Sequence, residues 1–263
     1  MDFSKRRILG KTGLPVSRLG LAGGYGVPAA AVERAFHEYG VNYFYWSSPR
    51  RGGMRDGLRN LVKTNRKDIV IVLQSYDHLG LTVRRSVIKG ISALGVDHAD
   101  VVLLGWHNWY PPGKIIREVA ELKDEGKVRF VGMSGHNRKL FGEIARADDS
   151  PIDIFMVRYN AAHRGAEKEI FPYLSGDKRP GLTTYTATRW GKLLNPKKMP
   201  PGQPPLTASE CYRFVLSDPH VDLCMMGPAT EAQMVEGLTA LAKGPLSTKE
   251  IERVRKIGDY VHG

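Results

Sequence analysis

Short, wholly apolar runs alternate along this chain with longer stretches in which apolar residues recur every three or four positions. The runs at 68–74 (DIVIVLQ), 100–104 (DVVLL), 128–133, 152–158, 182–185 and 221–226 are too short for helices. They have the continuous apolar character of strands buried on both faces. Between them, 54–64, 83–94, 114–125, 138–146, 167–174, 208–216, 231–241 and 248–261 carry helical spacing. A helix over 28–39, with Val32, Ala35, Phe36 and Tyr39 on one side, precedes an aromatic strand at 41–46. Upstream, RILGKTGLPVSRLG at 7–20 reads as a β-hairpin leading into a first strand at 19–22. Counted from Leu19, eight strands alternate with helices, and the predicted fold is a single (β/α)8 TIM barrel spanning 1–263 with an N-terminal β-hairpin. A doubly wound open sheet is the competitor, but no GxGxxG follows any strand. The proline-rich piece at 195–206 (NPKKMPPGQPPL) is expected to lie over the barrel mouth.

The stretch GVNYFYWSSPRR at 40–51 marks where chemistry is expected. Gly40 can stop the preceding helix, and the strand after it ends in a loop carrying Ser47, Ser48, Arg50 and Arg51. Barrel active sites form at the C-terminal ends of the strands, so Tyr45 and this loop should face the mouth.

At 263 residues and 42% hydrophobic, the chain can bury a large core. A net charge of +12 raises nucleic acid as a partner, yet the basic residues are dispersed. Their densest cluster, Lys197–Lys198, has no interleaved aromatics, so no nucleic-acid partner is expected. A solvated basic surface with an anionic small ligand is the more economical reading. No run of ~18 apolar residues occurs, so no membrane span is expected. No apolar segment follows MDFSKRR, so no secretory leader is expected. Two cysteines, Cys211 and Cys224, both in apolar settings, read as reduced thiols of a cytoplasmic protein. No His/Cys/Asp/Glu cluster has metal-ligand spacing, so no metal site is expected.

The segments RILGKTGLPVSRLGL, GVNYF, GKVRFVGMSGHN, VRYNAAHRGAEKEIFPYL and MMGPATEAQMVEGL, in this order, resemble the aldo-keto reductases. The resemblance implies a (β/α)8 barrel that binds NAD(P)H across its C-terminal face and reduces carbonyls with an Asp, Tyr, Lys and His set. Set against that pattern, the Asp slot holds Tyr45, the Tyr slot Arg50, the Lys slot Gln74 and the His slot Gly105. A positioned general acid contributes roughly 10²–10⁴-fold. Arg50 cannot take that role because a guanidinium keeps its protons at any working pH. The cofactor slots are mixed. Ser134 matches the carboxamide-binding serine, Tyr185 the aromatic under nicotinamide, and Thr186 the next position, whereas the neighbouring Asn and Gln slots hold Gly135 and Met156. In the last loop Gly227 and Gln233 match, but Ala229 stands where a 2′-phosphate clamp would be. The resemblance therefore implies NADH in preference to NADPH, or weak to absent binding.

Other candidates come from position. Arg189 and Lys192 follow the seventh strand, and Gly227 to Thr230 lead into the last barrel helix, an arrangement that often holds phosphate. With Arg50 and Arg51 they form a candidate anion site. His107 is either a substitute acid or a loop residue packed between Trp106 and Trp109, and His136 either shapes its loop or takes part in chemistry. Three functional readings stay open: an NAD(P)H-dependent oxidoreductase with an altered donor such as Tyr45 or His107, a non-redox isomerase or lyase of an anionic substrate, and a pseudoenzyme that binds a ligand or partner. Tyr185, Ser134 and Gln233 lining an open groove would favour the first. Trp106 or Trp190 filling that groove would favour the last.

Overall fold

The computed structural model describes residues 1–46, 52–147 and 149–262. Hairpin strands β1 (Arg7–Ile8) and β2 (Pro15–Val16) pair antiparallel. Eight parallel strands then close a barrel: β3 (Leu19–Ala22), β4 (Tyr43–Trp46), β5 (Val70–Ser75), β6 (Ala99–Leu104), β7 (Val128–Gly135), β8 (Ile154–Arg158), β9 (Gly181–Tyr185) and β10 (Leu223–Met226), with β10 returning to β3. Outside them run α1 (Ala29–Tyr39), α2 (Gly52–Asn65), α3 (Gly80–Leu94), α4 (Gly113–Asp124), α5 (Arg138–Arg146), α6 (Ala166–Glu169), α7 (Ala208–Leu216), α8 (Glu231–Lys243) and α9 (Thr248–His262). No helix among the described residues is long and apolar enough to cross a membrane.

The period-two geometry of each strand divides the core in two. Val70 and Val72 of β5, Val101 and Leu103 of β6, Ile154 and Met156 of β8, and Leu223 and Met225 of β10 pack inside the barrel, with Leu9, Leu14 and Val16 of the hairpin segment as its plug. Ile71, Leu73, Val102, Leu104, Phe155 and Val157 point outward against the helices. The next inward positions along these strands lie at the open, C-terminal end, which is how Gln74 arrives there.

The opposite end is tied by buried carboxylates. Asp222, fully buried, accepts from Arg179 (2.6 and 2.9 Å) and from the Leu182 amide (2.8 Å), and it pairs with Arg7 (2.9 Å). Asp100 is bound by Arg66, Arg129 and the Ile71 amide. Asp153 meets Lys11, Lys123 and the Val131 amide. Stabilising charge thus gathers at one end of the barrel, leaving the other end for a site.

Two local expectations change. The helix expected over 167–174 is α6 followed by a 3-10 turn, Phe171–Tyr173. Pro172 lacks an amide hydrogen and its ring would clash with the preceding turn. No residue of the 195–206 piece lines the cavity at the barrel mouth, although Leu194 and Ala208 on either side of it do. The piece forms a 3-10 turn at Pro196–Lys198 and tucks Leu206 into the core, and Arg253 of α9 donates to the Pro204 carbonyl.

Candidate active site

The C-terminal ends of the strands surround an open cavity of about 1050 Å³. One side is built by Tyr45 of β4, Gln74 of β5, Tyr76 just beyond it, and Trp106 after β6. Ser134 and His136 from the end of β7 continue the wall, followed by Met156, Tyr185, Thr186 and Trp190. Met225, Gly227, and Gln233 and Glu236 of α8 complete it. Trp106 and Trp190 border the cavity without filling it, being 66% and 57% exposed.

Ser134 ties two walls together. Its Oγ accepts from the Trp106 amide (3.3 Å) and its carbonyl from the His107 amide (2.8 Å). Tyr185 sits with its hydroxyl 3.4 Å from His136 Nδ1. Burial raises the Tyr185 phenol to about 12 although Arg158 opposes the shift. Burial also lowers the His136 imidazole, reinforced by Arg158 and Arg138. After β9 the chain turns sharply: Thr186, Arg189 and Trp190 have φ of 57°, 51° and 50°. Trp106, at 60°, is the fourth such non-glycine residue among those described. Left-handed backbone at such residues costs about 1–3 kcal/mol each and persists only where surrounding contacts impose it. Here Asn160 donates to the Thr186 carbonyl (2.8 Å) and the Arg189 amide closes back on the same oxygen (2.8 Å). Thr186 Oγ1 faces this region buried and without a partner.

Gly105, where the resemblance led a histidine to be expected, is hemmed in by neighbouring side chains. A Cβ on Gly105 would run into Gln74 Nε2 and approach the Tyr76 ring to 2.7 Å. Gln74 thus occupies the space a histidine at 105 would need, and its Oε1 is buried with no partner. Gly135 is similarly constrained, because a Cβ there would collide with the His107 carbonyl. Asparagine does not fit that slot in this backbone.

The structure brings Tyr45, Gln74, Ser134, Tyr185, Thr186, Gly227 and Gln233 onto the cavity wall. It does not bring His107, Arg189 or Thr230 there. His107 is fully buried, its ring tilted against that of His78 (centroids 4.8 Å apart, 46°), with both ring nitrogens unpartnered. Burial, helped by His78, depresses it to about 4, so it is neutral and not placed as a donor. Arg189 turns outward to the His262 carbonyl (3.2 Å). Thr230 caps α8 by accepting from the Gln233 amide (3.3 Å), while Gln233 Oε1 holds the Ala229 amide (2.8 Å). Arg50, with Arg51, lies outside the described residues. No Lys or Arg lines the cavity among the described residues, so neither Arg189 nor Lys192 of the expected anion site reaches it, while Gly227 does.

Glu236, Tyr76, Tyr25 and Tyr212 also line the cavity and were not singled out from sequence. Glu236 had a usable signal, since it stands three residues beyond Gln233 on one helix and so shares its face. Its Oε1 accepts from the Ala208 amide (3.2 Å).

A sequence profile of the Aldo/keto reductase family matches residues 29–207. L-galactose dehydrogenase of Arabidopsis thaliana is 23% identical, with 90% of this chain and 88% of that protein covered. An aldo-keto reductase of Bacillus halodurans superposes in its holo form with a TM-score of 0.78 at 20% identity, covering 96% of each chain. Its apo form gives the same TM-score and identity.

Proposed function

The chain belongs to the aldo/keto reductase family, and from that premise we propose that it is an NAD(P)H-dependent oxidoreductase of small carbonyl or hydroxyl compounds with a rebuilt donor side. The observation carrying this reading is the convergence of Ser134, Tyr185, Gly227 and Gln233 on one open cavity that Trp106 and Trp190 leave unfilled. When bound, the dinucleotide supplies the hydride. The residues on this side fit it in part. The Tyr185 ring offers a stacking face, and the Ser134 hydroxyl hydrogen, uncommitted among the described residues, can donate to a carboxamide oxygen. Thr186 Oγ1, buried and unpartnered, is a further polar group that a ligand would satisfy.

NADH is the favoured partner. Glu236 is the carboxylate of the lining, no cation accompanies it among the described lining residues, and Glu231 stands in the first turn of α8 bound to Arg34. A carboxylate accepts ribose hydroxyls and repels a 2′-phosphate. On the opposite wall, Tyr45 is the proton donor of this proposal. Gln74 cannot transfer a proton, but its unpartnered Oε1 can accept from a substrate hydroxyl and hold that oxygen. Both thiols are buried and unpaired, which supports a reducing, cytoplasmic setting.

Separate titrations with NADH and NADPH, followed by tryptophan fluorescence and thermal stability, test this reading. NADH at 100 times its Kd should add ~2.7 kcal/mol of stability. Tyr185→Ala should weaken NADH, and Glu236→Gln should narrow the preference over NADPH. No response to millimolar amounts of either dinucleotide would refute it and turn attention to ligand- or partner-binding without redox chemistry, the reading that the substituted catalytic slots support.

A further inference from the structure

Outside the main cavity, on the far side of Trp106, lies a second recess of about 370 Å³ lined by His78, Trp106, Asn108, Trp109 and His136. Trp106 and His136 belong to both walls, so the two spaces adjoin. Trp106 and Trp109 of this lining are exposed, and Tyr76, Leu79, Leu81 and Tyr110 are exposed in the loops after β5 and β6 and at the start of α3. Single exposed apolar residues are ordinary, but large ones gathered on two loops that touch through Tyr76–Trp106 and His78–Trp109 mark a binding surface.

The walls are held in place. Trp106 is kept in left-handed backbone, with its amide on Ser134 Oγ, and Tyr76 meets its ring edge-on at 5.9 Å. His78 rests on the buried His107 and lies 6.3 Å from Trp109 at an interplanar angle of 37°. Asn108 Oδ1 accepts from the His136 amide (2.7 Å), and its carbonyl accepts from Asn137 Nδ2 (3.0 Å). Four of the five lining residues present rings, and none is an acid, a lysine or an arginine.

We infer that this recess is a distal subsite for a flat, uncharged aromatic ring, so that the substrate carries an aryl group beyond its reacting centre. Ring faces at offset or edge-on angles favour aromatic partners. A sugar ring would instead bring several hydroxyls against walls with too few free polar atoms, and each hydroxyl buried without a partner is unfavourable. The identity of the reacting group rests on the proposed oxidoreductase function, whereas the recess rests on its own geometry.

Equilibrium dialysis with 2-naphthol, a fluorescent and uncharged probe, tests the subsite without any reaction. We expect saturable binding at one site and a loss of roughly 2–10-fold in affinity in Trp109→Ala, the size of one aromatic pair. Trp109 is 61% exposed, so the variant should keep its thermal midpoint, and Tyr260→Ala on α9 should bind as the parent does. Should Trp109→Ala misfold, saturation-transfer NMR from the intact protein to 2-naphthol provides the readout. Non-saturable binding, equal affinity in Trp109→Ala, or displacement of 2-naphthol by equimolar methyl glucoside would overturn the inference. Parallel NADH titration separates the two claims. Saturable naphthol binding without dinucleotide binding defeats the oxidoreductase reading alone, and the converse result defeats the subsite alone.

Discussion

Gly105 and Gln74 compete for one volume, and replacing Gly105 with histidine measures that competition. The missing Cβ at 105 points at Gln74 Nε2 and comes within 2.7 and 3.0 Å of two carbons of the Tyr76 ring. Forcing a side chain into packed space costs about 1–3 kcal/mol, and because the atoms met are the far end of the flexible Gln74 side chain and the ring of the half-exposed Tyr76, Gly105→His falls toward the lower part of that range. Gln74→Ala alone should be close to neutral. It loses packing, but it also removes the buried, unpartnered Oε1, whose desolvation is worth ~1–3 kcal/mol. If the two side chains claim the same space, the double variant Gln74→Ala/Gly105→His regains ~1–2 kcal/mol relative to the sum of the single changes. The assay is urea unfolding of all four proteins followed by intrinsic fluorescence of the 4 tryptophans, with midpoints compared at a common slope. Additivity to within ~0.5 kcal/mol would refute the shared-volume account. It would show that glutamine at 74 and glycine at 105 do not depend on each other for space.

Two further outcomes are expected. Asp222→Ala should destabilise the fold by ~3–5 kcal/mol, because it strips Arg179 and the Leu182 amide of a buried partner; calorimetry reads the loss, and a change under ~1 kcal/mol would contradict the role given to this carboxylate. His107 is held down at about 4 against an ordinary 6.5, so the fold favours its neutral form. Its contribution is therefore complete above pH ~6.5, declines as the pH falls, and is fully lost near ~4, up to ~3 kcal/mol for this one group. His107→Phe should flatten the fall in urea midpoint between pH 7 and 4.5, and an unchanged acid sensitivity would exclude His107 as its source.

Much of this protein is legible along its sequence because strand geometry has a strict period of two. Once 68–74 is read as a strand, the alternation Val70, Val72, Gln74 places Gln74 inside the barrel, at the mouth. The same parity carries Ser134 from Gly132, Tyr185 from Thr183, and Gly227 from Leu223 and Met225. The eight-strand count and the inward placement of these strand residues follow from such local signals, and Glu236 would have followed from its helical spacing to Gln233. Positions in the loops behaved otherwise. His107, three residues past the end of β6 at Leu104, could have faced the cavity or the interior. The close approach of Gly135 to its carbonyl and the left-handed turn at Trp106 send it inward. Arg189 is basic and well placed in sequence, yet the turn over Thr186 to Gly191 directs it to the C-terminal helix instead. Backbone turns of this kind depend on contacts from segments distant in the chain, here Ser134 for the Trp106 loop and Asn160 for the Thr186 loop. The sequence alone determined the barrel and which strand residues face inward, because those depend on short-range periodicity. Only the tertiary structure decided which loop residues reach the cavity, and that a second, aromatic recess adjoins it, because those depend on long-range packing.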